Sequence, residues 1–116
     1  MLTSLVGSEM CIRDRYTLPP IFITENGAAM ADELKDGLVN DVDRVDYYNA
    51  HLNMVHNAVI DGVEVSGYFA WSLLDNFEWA EGYEKRFGLV YVDFETQKRT
   101  LKLSANAYKA LIASRT

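Results

Sequence analysis

Two strand-like segments, each followed by a helix-like segment, constrain the fold of this chain more than any other feature. The first strand is the apolar run 21–24, which is rich in β-branched and aromatic residues and follows two prolines that keep the backbone extended. Apolar residues then recur at helical spacing between Asp43, a predicted cap, and Asp61-Gly62, a helix stop. We expect the buried face of this helix to contain Val45, Tyr48, Leu52, Val55 and Val59.

The second half of the chain repeats this order with an added hairpin. Residues 63–72 have strand character, and Gly67 would permit a neighbouring backbone to approach closely. We also predict a hairpin, formed by 89–94 and 98–102. Ser104 is a predicted cap for a final helix, whose expected inward residues are Ala105, Tyr108, Leu111 and Ile112. The sequence therefore predicts parallel βα units, an α/β fold.

The segment 26–42 has no clear period and predicts a long loop, with one helical turn near 30–34. Calcium binding requires a tighter pattern of acids than this loop and the residue after it provide. We therefore expect a solvated negative face formed by Asp32, Glu33, Asp36, Asp41 and Asp43. His51 and His56 are five residues apart with no evident third ligand. We interpret both as surface or packing histidines and predict no metal site.

Chain length limits what these units can build. A (β/α)8 barrel needs roughly 200 to more than 400 residues, so 116 residues supply at most its first or last quarter. In such folds the loops that follow the strands hold the chemistry. The segments 24–27 and 72–87 are therefore the candidate site.

Charge and cysteine content exclude several classes of protein. A formal net charge of −6 argues against binding to nucleic acid or to an anionic membrane. The single Cys11 cannot form an internal disulfide, and there is no apolar run of membrane-spanning length. Residues 1–15 match no secretory signal and differ from the rest, so we expect them to be foreign to the fold; the alternative is the end of a native amphipathic helix. We expect residues 16–116 to be part of a larger domain and the protein to be cytoplasmic.

Both candidate loops carry groups suited to sugar chemistry. Glu25 follows an apolar strand, where a carboxylate is either functional or simply a surface acid beyond the strand end. Trp71, Glu78, Trp79 and Phe87 combine aromatic faces, which pack on a pyranose ring, with a carboxylate that accepts from hydroxyls. The alternative is that the two tryptophans are core residues.

These motifs resemble those of the family 1 glycoside hydrolases, the β-glucosidase group. Ile-Phe-Ile-Thr-Glu-Asn-Gly at 21–27 is similar to the nucleophile motif at the end of barrel strand seven in that family. A second segment is similar to the strand-eight sugar-binding signature of that family. It reads Trp-Ser-Leu-Leu-Asp-Asn-Phe-Glu-Trp at 71–79, followed by Gly82-Tyr83 and by Arg-Phe-Gly-Leu at 86–89. The resemblance covers about 100 residues in collinear order. It implies the last two βα units of a (β/α)8 TIM barrel.

The resemblance also implies roles for the site residues. Glu25 would be the nucleophile of a retaining β-glycosidase, a β-glucosidase-like hydrolase of carbohydrate metabolism that forms a glycosyl-enzyme. Glu78 would bind the hydroxyls at sugar positions four and six, and Trp79 would donate to position three. Trp71 would form an aromatic wall under the ring, and Phe87 would line the pocket near position six. Asn26 and Gly27 would shape the turn.

The family pattern implies a β-glycoside substrate, small or oligosaccharide, and no cofactor. A carboxylate at Glu78 would repel a phosphate, so an unphosphorylated sugar is favoured. The family's Thr-Phe-Asn-Glu-Pro-like acid/base motif does not occur in this sequence, so we expect the chain alone to be inactive and its parent active. The rival hypothesis is a non-catalytic carbohydrate-binding or interaction relative. A nucleotide-binding module lacks support, because no glycine-rich fingerprint is present.

Overall fold

The computed structural model describes residues 15–115. Its elements, in chain order, are β1 (Ile21–Asn26), α1 (Val42–Ile60), β2 (Val65–Ala70), a short 3-10 helix (Trp79–Glu81), β3 (Val90–Val92), β4 (Arg99–Leu101) and α2 (Leu103–Ala113). This order confirms the predicted α/β pattern and the predicted hairpin, since β3 and β4 pair antiparallel. Neither α1 nor α2, the helices of the described residues, is long and apolar enough to cross a bilayer.

Strands β1 and β2 pair in parallel, and helix α1 connects them. Their register is irregular near the carboxyl ends: Ile23 lies opposite Tyr68 and Asn26 lies opposite Ala70. Between these pairs two residues of β1 therefore face a single residue of β2, Phe69, which is a β-bulge. The two residues in the bulge are Thr24 and Glu25.

The buried face of α1 differs from the predicted one. The residue that precedes α1 as its cap is Asp41, not Asp43, and its side chain makes no capping hydrogen bond. The buried residues are Arg44, Tyr48, His51, Val55 and Ala58. Val59 is 46% exposed, so its predicted burial was wrong. A pattern of apolar residues treats arginine and histidine as polar and outward-facing. Here Arg44 pairs with Asp41 and the His51 ring hydrogen-bonds to the Tyr47 carbonyl, so both side chains can be buried.

Apolar contacts hold α1 against the start of both strands. Ala58 and Val63 are the buried centre of this cluster, and partly buried Ile21, Met54 and Val65 pack around them. Only Ile23 is buried within β1, and Phe22 is exposed, although the apolar run 21–24 is typical of a buried strand. The reason is that in the described residues β1 has one strand neighbour, β2.

Helix α2 also begins differently from the prediction. Lys102 is its cap residue, and Ser104 lies inside the helix, buried, with its hydroxyl donating to a carboxylate oxygen of Asp41 at 2.5 Å. Ile112, predicted to face inward, is exposed. The polar contact between Ser104 and Asp41 therefore orients the first turn of α2 more than the apolar pattern does.

The long loop 27–41 contains no helical turn near 30–34, contrary to prediction. Instead Met30 and Arg86 exchange two backbone hydrogen bonds, of 3.0 and 2.9 Å. Further on, Lys35 and Leu38 close a tight turn in which Asp36 and Gly37 both have positive φ, 52° and 75°. Pairing with a distant segment thus keeps this loop extended.

Candidate functional site

Glu25 lies where β1 ends, inside the bulge, and its side chain is exposed. A bulge changes the direction in which a side chain leaves the sheet, and bulges are common next to active sites. The structure therefore places this carboxylate at the carboxyl end of a parallel strand, open to a ligand.

The turn after Glu25 is locked against the start of the loop that follows β2. The backbone N–H of Trp71 donates to the carbonyl of Asn26 at 2.8 Å. A Cβ atom at Gly27 would lie only 1.9 Å from the Trp71 carbonyl oxygen, so no side chain fits there. Tyr48 donates its hydroxyl to that same carbonyl at 3.1 Å. The close approach requires glycine at position 27, and the hydrogen bonds hold the two strand ends side by side.

The loop after β2 presents both tryptophans to solvent. Trp71 is 38% exposed and Trp79 is 87% exposed, so neither indole is enclosed by residues 15–115. The indole N–H of Trp71 points at a carboxylate oxygen of Glu78, with a separation of 3.4 Å between the two heavy atoms. An aromatic face and a carboxylate therefore lie next to each other, with both accessible.

Phe87 also lies beside the start of the loop that follows β2. Its carbonyl accepts a hydrogen bond from the backbone N–H of Ser72 at 3.0 Å, and its side chain is half-buried. The structure thus brings Trp71, Glu78 and Phe87 to one edge of the β1–β2 sheet, the edge at which Glu25 also lies. Trp79 sits in the 3-10 helix directly after Glu78.

Tyrosine hydroxyls support this edge from beneath. Tyr68, on β2, donates to the side-chain oxygen of Asn26 at 2.5 Å. Burial raises the pKa of the Tyr68 hydroxyl above its usual value, and burial likewise raises the pKa of Tyr48. Both hydroxyls therefore stay protonated at neutral pH and act as hydrogen-bond donors.

A buried cluster of ion pairs lies behind the loops, and the sequence analysis missed it. The members are three aspartates and three basic residues: Asp32, Asp41, Asp75, Arg44, Arg86 and Lys102. The prediction that the acids of 26–42 form a solvated face was wrong for Asp32 and Asp41, because Arg44 pairs with both, at 2.7 and 2.6 Å. The one available signal was the spacing of three between Asp41, the cap residue of α1, and Arg44 in its first turn.

Asp75 is the centre of the part of this cluster nearest the site. Its carboxylate accepts from Lys102 and Arg86, both at 2.7 Å, and from the backbone N–H groups of Gly88 and Val92. It therefore ties the loop that carries Trp71 to the segment after Phe87. In residues 15–115 no three His, Cys, Asp or Glu side chains are arranged to hold one metal ion.

Parallel strands with a helix after each define the chain as an α/β protein. The family model described as glycosyl hydrolase family 1 matches residues 3–116, and the chain belongs to this family. The match begins inside the stretch that we expect to be foreign. That stretch lies, except for Arg15, outside the described residues, and its boundary stays a prediction.

Two curated relatives are named as β-glucosidases. The chain is 56% identical over 98 residues to a β-glucosidase of Agrobacterium sp., which covers 84% of this chain and 21% of the relative. It is 52% identical over 102 residues to β-glucosidase A of Thermotoga maritima, covering 87% of this chain and 23% of the relative. The chain thus spans less than a quarter of the length of these relatives.

Solved structures give the same result. A family 1 β-glucosidase from Thermotoga maritima, solved in complex with isofagomine lactam, has a TM-score of 0.93 at 46% identity, covering 97% of this chain and 26% of that one. The family 1 β-glucosidase from Exiguobacterium antarcticum has a TM-score of 0.94 at 47% identity, with coverage of 97% and 25%. The predicted family is therefore confirmed.

Proposed function

We propose that this chain is the part of a retaining β-glycosidase, specifically a β-glucosidase, that carries the nucleophile and most of the sugar-binding side chains. The observation that carries this proposal is the hydrogen bond from the Trp71 N–H to the Asn26 carbonyl at 2.8 Å. It fixes the strand end that bears Glu25 beside the first residue of the loop that bears Glu78 and Trp79. The names of the relatives support the same activity.

In this proposal β1 and β2 are strands seven and eight of a (β/α)8 barrel. The chain covers 26% of the Thermotoga maritima structure, close to the share expected for two of eight βα units. The parallel pairing of β1 and β2, with α1 between them, agrees with that placement. The remaining units would come from a longer parent protein.

The reaction would begin when the Glu25 carboxylate attacks the anomeric carbon, forming a glycosyl-enzyme as the bond to the leaving oxygen breaks. A second carboxyl group, about 5–5.5 Å from the first in retaining enzymes, protonates that oxygen. It then deprotonates the water that releases the sugar. This group would come from outside the present chain, so the chain alone should be inactive.

The sugar would lie over the exposed residues of the loop after β2. Glu78 would accept hydrogen bonds from the hydroxyls at positions four and six, while the indole N–H of Trp71 orients one of its two carboxylate oxygens. Trp79 would donate to the hydroxyl at position three, and the face of Trp71 would pack under the ring. Phe87 would line the pocket near position six, and the charge of Glu78 would disfavour a 6-phosphate.

Two substitutions in the full-length parent test these roles. Glu25→Gln should lower turnover by several orders of magnitude and leave the binding of an unreactive sugar analogue nearly unchanged, because the nucleophile acts only along the reaction path. Glu78→Ala should weaken binding and turnover together, because its hydrogen bonds exist before and during the reaction. Steady-state kinetics and calorimetric titration with the analogue measure both effects.

Covalent trapping gives an independent test of the nucleophile. A 2-deoxy-2-fluoro glycoside should label Glu25, detected by peptide mass spectrometry, because fluorine slows breakdown of the glycosyl-enzyme. Labelling of another carboxylate, or near-normal turnover by Glu25→Gln, would overturn the nucleophile assignment. A parent protein that binds β-glucosides and never hydrolyses them would instead support the non-catalytic relative.

A further inference from the structure

The bulge at Glu25 needs something to hold it, because it interrupts the regular pairing of β1 with β2. Thr24 and Glu25 together face the single residue Phe69, so the ladder makes no regular pair at the position where the carboxylate leaves the strand. The residue that ends the bulge is Asn26, which resumes pairing opposite Ala70. The direction of the Glu25 side chain therefore depends on how firmly Asn26 is held.

Asn26 is held by three residues, one of which is Tyr47, through a hydrogen bond between the two side chains. Its carbonyl accepts from the Trp71 backbone N–H at 2.8 Å. Its side-chain oxygen accepts from the Tyr68 hydroxyl at 2.5 Å, and Tyr68 is the β2 residue paired with Ile23, just before the bulge. The Tyr68 side chain thus spans the bulge, with its backbone at one end and its hydroxyl at the other.

The Tyr68 hydroxyl remains a hydrogen-bond donor at the pH at which the enzyme would work. Tyr68 is partly buried, and burial raises the pKa of its hydroxyl, so the proton is retained throughout the range in which the enzyme would work. A short hydrogen bond in a partly buried environment is stronger than one in water. The sequence offered no signal for this contact, because the two residues are 42 positions apart.

We propose that Tyr68 is a positioning residue, which fixes the bulge through the Asn26 side chain and thereby aims the Glu25 carboxylate. This inference rests on the proposed role of Glu25 as nucleophile. Tyr68 itself has no part in bond making. Its contribution is geometric, and a misplacement of a reacting group by about 1 Å can cost about 100-fold in rate.

Tyr68→Phe in the full-length parent removes the hydroxyl and keeps the ring. We expect kcat and the rate constant for trapping by a 2-deoxy-2-fluoro glycoside to fall by about 10- to 100-fold. We expect the affinity for an unreactive sugar analogue to change less than about threefold, because the sugar-binding side chains stay in place. The matched control is Tyr91→Phe, which removes a hydroxyl from a ring that lies over the Arg86 guanidinium and should leave all these constants unchanged.

Chemical rescue separates aiming of Glu25 from general damage to the site. In the Glu25→Ala enzyme, azide can attack the anomeric carbon of an activated glycoside in place of the missing carboxylate, and it is not attached to the bulge. Adding Tyr68→Phe to that background should therefore leave the azide-dependent rate within about twofold. A further loss of 10-fold or more would show that Tyr68 acts on the whole site and would overturn the proposal.

The outcomes distinguish this inference from the proposed function. If Glu25→Gln is inactive and Tyr68→Phe has normal kcat and a normal trapping rate, the positioning role is wrong and the nucleophile assignment stands. If Glu25→Gln is active, both fail. Equal losses of affinity and kcat in Tyr68→Phe would also contradict the positioning role.

Discussion

Replacing Lys102 by Met in the full-length parent tests how much the buried ion-pair cluster stabilises the loops of the site. The Lys102 ammonium group lies 2.5 Å from an Asp32 carboxylate oxygen and 2.7 Å from one of Asp75. Its side chain has 0% exposure, as does that of Asp75. Methionine has a similar length and no charge, so the substitution removes the charge with little change in volume.

The expected cost follows from the charge balance of the cluster. Three aspartates face Arg44, Arg86 and Lys102, so the cluster is neutral, 3 − 3 = 0, and the substitution leaves one carboxylate charge uncompensated. Removing one partner of a buried ion pair typically costs about 3–5 kcal/mol, because the remaining charge has lost both water and its counter-ion. We expect the free energy for opening the loop around Asp75 to fall by this amount.

Two backbone amides report that opening directly. The N–H groups of Gly88 and Val92 donate to the Asp75 carboxylate at 3.0 and 3.2 Å, so they are protected from exchange while the loop is closed. A loss of about 3–5 kcal/mol corresponds to amide hydrogen exchange that is faster by about two to four orders of magnitude. Denaturant unfolding of the same protein should show a lower midpoint.

Lys35→Met is the matched control. Lys35 also pairs with a carboxylate, Glu33, at 2.8 Å, but its side chain is 78% exposed. Exposed ion pairs contribute little, so this variant should unfold and exchange like the parent. If Lys102→Met changes the exchange of Gly88 and Val92 by less than about fivefold, the reasoning from burial is refuted.

Two further predictions concern the glycines and the hairpin. Gly27→Ala should abolish activity and lower the yield of folded protein, because its Cβ would overlap the Trp71 carbonyl at 1.9 Å. Gly37 has φ +75° and open space around it, so Gly37→Ala should lower the free energy of unfolding by only about 1 kcal/mol. Activity and the midpoint of unfolding are measured for both variants. The backbone N–H groups of Thr96 and Glu95 hold the pKa of Asp93 below its usual 3.8, so its contribution to stability is present above pH 3.8 and is lost as the pH falls through the lower folded-state value. Asp93→Ala should therefore be less stable than the parent at neutral pH, with a difference that shrinks in acid; a difference that grows in acid would contradict this.

The sequence by itself determined the elements and the position of the chemistry. A continuous apolar run marked β1, strand-like composition marked β2, and apolar residues at helical spacing marked α1. The family motifs identified the segments around Glu25 and Trp71. These signals are local, because each depends on residues close together in the chain. The predicted order of the elements therefore agrees with the structure.

Only the tertiary structure decided which polar residues are buried. Asp41 was predicted to lie on a solvated face, yet it is buried, because Arg44 pairs with its carboxylate and Ser104, 63 residues further along the chain, donates to it. Lys102 pairs with Asp32, which is 70 residues away in the chain, and a periodic sequence pattern cannot predict such a pair. The bulge at Glu25 and its support by Tyr68 likewise depend on the register of two strands, which is fixed only when they pack together.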